Sequence, residues 1–214
     1  MCPPLRTFCP PTRFANLACT LLVDFAAAFP SVLQSWLLSV LRAVNALIGF
    51  INIFISMYSE NNAYTRSQGG LVFLFKVFSG VLQGCPWSGA LFNVGIDLLL
   101  WCFSSTIVQP GHGKVFACAE DIGAALNNLR GLIPCAKLLN MFRKISGLTS
   151  KPSKCVMILT FVVCSEQNIL AVRNWLNDNI PEWKDMNITA CGKYLGFYIV
   201  PEAGKHSWLS PMSK

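Results

Sequence analysis

The sequence predicts an α+β fold: a split βαβ sheet, antiparallel at its centre, with helices packed on one face. Three observations predict it. Short apolar runs of strand length alternate with longer stretches of helical periodicity. The first run, residues 17–23 (LACTLLV), ends on a carboxylate, Asp24. Residues 114–126 (KVFACAEDIGAAL) read as two short strands joined at Glu120 and Asp121, a hairpin with an acidic tip.

Taken in order, residues 1–16 are Pro-rich and irregular, and 17–23 form a buried strand. Beyond Pro30, residues 31–57 carry a helical apolar pattern broken near Gly49. Residues 59–70 (SENNAYTRSQGG) read as a loop or hairpin tip, and 71–78 (LVFLFKVF) as a strand. A Gly/Ser/Pro-bearing loop, Ser79–Gly89, leads into a largely buried helix over 90–103. After the acidic hairpin, residues 127–145 are helical, with Gly147 placed to cap them. Residues 155–163 (CVMILTFVV) form a strand, and Ser165 can N-cap a helix running to about 178. Residues 187–200 return as strand, with turns or bulges at Gly192 and Gly196, and 201–214 form a tail.

The composition narrows the class. Of 214 residues, 53% are hydrophobic and 13% charged, against roughly 25% charged in an average soluble domain. Such a chain has ample apolar surface to bury, which excludes disorder and a charge-rich coiled coil. The net charge is +7, most of it in the second half. Lys137, Arg143, Lys144, Lys151 and Lys154 follow one another with no carboxylate between them. They form either a solvated face or a phosphate-contacting surface.

Ten cysteines are scattered singly with no C-x-x-C pair, which argues against zinc and for reduced packing thiols. The expected location is intracellular, in nucleus or cytoplasm, and not secreted. Residues 43–58 are uncharged but shorter than the ~20 residues of a spanning helix. Residues 86–109 are long enough but carry Asp97 at their middle. Both read as buried core helices, so no stable membrane association is expected.

Acids at the ends of apolar strands are costly unless something pairs with them. Pairing strand 17–24 with hairpin 114–126 would bring Asp24, Glu120 and Asp121 together. Clustered carboxylates raise one another's pKa, and a hard divalent cation, magnesium, resolves the conflict. The plainer alternative makes Asp24 a helix N-cap and Glu120-Asp121 an exposed turn.

The residues around those acids resemble the palm of reverse transcriptases, RNA-directed DNA polymerases, of the non-LTR retrotransposon type. Five segments match in the family's order: Leu22-Val23-Asp24-Phe25 through Phe29-Pro30-Ser31-Val32; Ser79-Gly80-Val81-Leu82-Gln83-Gly84-Cys85-Pro86; Phe116 through Asp121; Ser146-Gly147-Leu148 through Lys154-Cys155; and Lys193-Tyr194-Leu195-Gly196. The resemblance implies a ferredoxin-like polymerase palm with partial fingers over residues 17–200.

It further implies nucleotidyl transfer with two magnesium ions, or manganese in their place. Asp24, Glu120 and Asp121 would hold the ions, helped by the backbone carbonyl of Phe25. Phe29, Gln83 and Gly84 would meet the incoming nucleotide. Lys154 would act as general acid toward pyrophosphate, and Tyr194, Leu195 and Gly196 would grip the primer. The implied partners are an RNA template, a DNA primer and deoxynucleoside triphosphates; the oligomeric state is left open.

The sequence departs from the family at Glu120, where the family has aspartate, at Cys118, where it has an aromatic, at Leu82, where it has a basic residue, and at Lys151, where asparagine is common. It also leaves little room for fingers or thumb. The expectation is therefore a fragment with impaired activity. The alternatives are an inactive palm remnant that at most binds nucleic acid, and a small membrane protein.

Overall fold

A computed structural model describes residues 16–199. The Pro-rich start and the C-terminal tail expected from sequence lie outside them. The chain divides into two compact units.

The first unit joins residues up to Phe25 with Leu99–Asn140 and the residues from Ser150 onward. Its centre is a five-stranded sheet. Strand β1 (Cys19–Val23) lies between β5 (Asp121–Leu126) and β6 (Val156–Leu159) and is antiparallel to both. Strand β4 (Gly113–Cys118) pairs antiparallel with β5 at one edge, and β7 (Asn187–Thr189) pairs parallel with β6 at the other.

Side chains alternate across a strand. Cys19, Leu21 and Val23 share one face of β1, with Leu126, Ala124 and Ile122 opposite them on β5, and all are buried. Helix α5 (Leu132–Ser146) brings Cys135 to this face, beside Cys19. Burial pushes the Cys135 thiol up to about 12 and the Cys19 thiol higher, so both stay neutral packing groups. The opposite face, with Leu22 and Ile158, is covered by hairpin β8–β9 (Gly192–Tyr194, Phe197–Ile199). A Cβ on Gly192 would come within 2.8 Å of Ile158 and 2.9 Å of Leu22, so glycine lets the hairpin lie flat on the sheet.

Several expected elements end early for physical reasons. The strand expected over 155–163 stops at Leu159, because Leu159 pairs with Cys19, the first residue of β1. Beyond it the Thr160 hydroxyl donates to the Ala18 carbonyl. The run 187–200 divides into β7, β8 and β9. Helix α6 (Glu166–Asn179) starts as expected, its Ser165 hydroxyl accepting from the Asn168 N–H.

The second unit comprises Ala26–Leu98 and Met141–Thr149. The pattern over 31–57 is two helices, α2 (Gln34–Ala43) and α3 (Ile48–Tyr58), preceded by one helical turn, α1 (Ala28–Ser31). The break falls at 44–47, where Asn45 takes a left-handed φ of 53°, and Gly49 lies inside α3. The segment expected as a loop or hairpin tip over 59–70 holds the first strand and the tip of a hairpin. Strand β2 (Asn62–Ser67) pairs with β3 (Gly70–Lys76), and their side chains stand mostly exposed.

Trp36 anchors the helices, its indole N–H donating to the Gly95 carbonyl at 2.9 Å and its ring meeting Phe142 edge-on. Gly147 caps α5 at φ 79°, where a Cβ would sit 2.6 Å from the Ser31 carbonyl oxygen.

Helix α4 (Ser88–Phe103) runs on into a π turn over Ser104–Val108. The Ser105 and Thr106 hydroxyls donate back to the carbonyls of Trp101 and Cys102, which favours this distortion. The stretch Ser88–Val108 is the one helix among the described residues long and apolar enough to cross a membrane, and 39% of its apolar 18-residue window is buried.

Candidate active site

The site is built from the end of β1 upward. The register pairs Val23 with Ile122, so Asp24 and Asp121 are the next residues on neighbouring strands. Cys118 pairs with Asp121, which leaves Ala119 and Glu120 as a two-residue tip. Ala119 adopts φ 50°, a left-handed conformation that costs a non-glycine residue roughly 1–2 kcal/mol. The tip therefore stores backbone strain where the acids stand.

The carboxyl of Asp121 is held above the ordinary aspartate range. Partial desolvation is the main cause, followed by the charges of Glu120 and then Asp24. Asp121 thus feels both other acids at one end of the sheet, where the β1–β5 pairing sets it beside Asp24. Among the described residues, however, no three of His, Cys, Asp and Glu stand close enough to enclose a metal ion. The oxygen donors of a type suited to a hard cation at this end are the carboxylates of Asp24 and Asp121, whose residues stand at adjacent positions on two strands. The N-cap alternative for Asp24 fails, because α1 begins at Ala28 with Ala27 as its cap residue.

Asp24 is tied to the turn that carries Lys154. The Lys151 N–H donates to the Asp24 carbonyl at 2.8 Å, and the Lys154 and Cys155 N–H groups both donate to the Lys151 carbonyl. Phe25 forms an isolated bridge to Ser150. The buried Cys155 thiol also meets the Asp24 backbone, a contact that no motif in the sequence signalled. The Asp24 N–H donates to its sulfur at 3.4 Å, and its S–H faces the Asp24 carbonyl at 3.8 Å. Burial pushes this thiol up, keeping it protonated.

Hairpin β8–β9 stands against the same end. The Tyr194 hydroxyl donates to the Asp121 carbonyl at 3.3 Å, and its ring lies over Gly123, 3.5 Å from where a Cβ would be. Leu195 and Gly196 form the hairpin tip with φ values of 49° and 89°. Burial and the Asp121 charge raise the Tyr194 hydroxyl, so it remains a donor.

Asp24, Phe25, Glu120, Asp121, Lys154, Tyr194, Leu195 and Gly196 therefore all belong to the first unit, while Phe29, Gln83 and Gly84 belong to the second. There, the Phe29 ring stacks on buried Phe92 with centroids 4.5 Å apart. Gln83 and Gly84 are exposed, and Gln83 lines a cavity of about 450 Å³ with Gln34, Asn61 and Ser79. Gly84 needs its freedom for a φ of 82°.

No family model matches the chain. One curated relative, the retrovirus-related Pol polyprotein from the type-2 retrotransposable element R2DM of Drosophila melanogaster, is 28% identical over 139 residues. That match covers 64% of this chain and 13% of the polyprotein. Among solved structures, apo telomerase from Candida tropicalis superposes with a TM-score of 0.62 at 12% identity, covering 88% of this chain and 32% of that one. The same telomerase truncated from its C-terminal domain gives 0.60 at 14% identity, with 86% and 34% covered. In complex with a TWJ fragment of telomeric RNA it gives 0.55 at 14% identity, with 68% and 26% covered. The chain thus spans a small part of the curated relative and about a third or less of the telomerase chains. In fold the described residues are thus similar to the telomerase chains, and in sequence part of the chain is similar to the retrotransposon Pol polyprotein.

Proposed function

We propose that this domain carries out RNA-templated DNA synthesis at a divalent-cation site built on Asp24 and Asp121. The observation that carries the reading is the β1–β5 register, which brings residues nearly a hundred positions apart to adjacent places at one end of the sheet. Desolvation first, and then the charges of Glu120 and Asp24, raise the Asp121 carboxyl, and a cation would relieve the part that comes from its acidic neighbours.

In this reading Asp24, Asp121 and the Phe25 carbonyl hold magnesium, and Glu120 joins by a small movement of the hairpin tip. When bound, the magnesium ions stabilise charge on the attacking and leaving oxygens. The primer 3′-hydroxyl gives up its proton to water as its oxygen bonds to the α-phosphorus and the bond to pyrophosphate breaks. Lys154, exposed on the turn hung from Asp24, supplies the proton that pyrophosphate takes up. The Tyr194-Leu195-Gly196 hairpin, moored to the Asp121 carbonyl, positions the primer end. Phe29, Gln83 and Gly84 are assigned to the nucleotide by the resemblance alone. The RNA in one telomerase complex supports nucleic acid as the partner class. The eight described cysteines are free thiols, in keeping with an intracellular site.

A second reading, an inactive palm that only binds nucleic acid, draws on one observation: the three acids do not enclose a metal position. Glutamate at 120 contributes, because a displacement of about 1 Å costs on the order of a hundredfold in rate. Primer extension on an RNA template separates the two. The polymerase reading expects magnesium-dependent incorporation, lost in Asp24→Asn and increased about tenfold or more by Glu120→Asp. Absence of incorporation in both the parent and Glu120→Asp would favour the binding module.

A further inference from the structure

We propose that Cys155 is a positioning residue for Asp24, its thiol bridging the Asp24 N–H and C=O and so fixing the direction in which that carboxylate leaves β1. The inference rests on the reading of Asp24 as a cation ligand. Asp24 follows the last paired residue of β1, so no ladder hydrogen bond holds its N–H. A backbone N–H buried without a partner is costly. Here the partner is the sulfur of Cys155 at 3.4 Å, a residue only 3% exposed that immediately precedes β6.

The same thiol reaches back to the Asp24 carbonyl at 3.8 Å, alongside the Lys151 N–H at 2.8 Å. Both backbone groups of Asp24 are thereby held from one segment, residues 151–155. A thiol is a weak donor and a weak acceptor, so one atom can serve both contacts. The arrangement is a support behind a cation ligand. Losing such a support typically weakens metal affinity about 10- to 100-fold.

Cys155→Val removes the hydrogen bonding at similar volume, and Cys155→Ser retains donor and acceptor. Both are compared with the parent and with Asp24→Asn in two measurements: Mn²⁺ binding, followed by electron paramagnetic resonance, and hydrogen exchange at the Asp24 amide. Thermal melting and near-UV circular dichroism confirm that each variant folds. The expected result is that Cys155→Val loses amide protection and binds Mn²⁺ about tenfold or more weakly, while Cys155→Ser restores both.

A folded Cys155→Val with full Mn²⁺ affinity, in a protein whose binding Asp24→Asn abolishes, overturns the positioning role and leaves the cation reading intact. Unchanged amide protection overturns the bridge itself. Mn²⁺ binding indifferent to Asp24→Asn overturns the cation reading, and the positioning role with it.

Discussion

At the scale of single residues, the site depends on how carboxylates are crowded. The carboxyl of Asp121 is raised above its ordinary value of 3.8 by desolvation, Glu120 and Asp24, in that order. The fold therefore favours its protonated form. The stability this contributes is fully present below the ordinary value and is lost as pH rises through the raised one. Asp121→Asn should accordingly melt at a higher temperature than the parent near neutral pH, and at the same temperature in acid below the ordinary value. Melting curves across that range, without divalent ions, check this; a difference that ignores pH would place the cause elsewhere. The acids were legible because Asp24 and Glu120-Asp121 end apolar runs, where charge is costly. Cys155 was not, because a thiol opening an apolar strand is indistinguishable in sequence from a packing cysteine. Phe29 is given to the nucleotide by the resemblance alone; what the structure shows of it is a ring stacked on Phe92.

At the scale of elements, the two hairpins flanking the site carry their own strain. Leu195 holds φ 49° at the first tip position of β8–β9, with Gly196 at 89°. Turns with positive φ at both central residues favour Asn-Gly. Leu195→Asn should therefore stabilise the domain by about 0.5–1 kcal/mol, and under the primer-grip reading it should lower primer extension. Chemical denaturation and extension rates measured side by side check both halves; loss of stability would contradict the strain.

Elements whose ends follow from local chemistry were readable, such as α6 with its Ser165 cap and α5 with Gly147. Elements whose ends depend on a partner were not. The strand beginning near Cys155 is cut at Leu159 because β1 supplies no residue beyond Cys19 to pair with. The hairpin tip near 67–70 was legible, but not the extent of strand β2, because its polar residues lack apolar alternation and among the described residues it pairs with β3 alone.

At the scale of the whole molecule, the candidate site depends on topology more than on any one motif. The strand order β4-β5-β1-β6-β7 places the first strand at the centre, and with it the first acid beside an acid of the hairpin. Sequence reading reached that pairing from the acids at strand ends, and the register bears it out. It could not show how closely the three carboxylates approach, because that depends on the turn at Ala119 and the reach of Glu120. The excess of basic residues, +7 over 214 residues, suits a polyanionic partner.

The most direct measurement is a titration of the domain with Mn²⁺, comparing the parent with Asp24→Asn, Asp121→Asn and the double variant. If both carboxylates hold one cation site, each single change abolishes most of the binding and the double change adds little. Full Mn²⁺ affinity in either single variant would contradict the shared site.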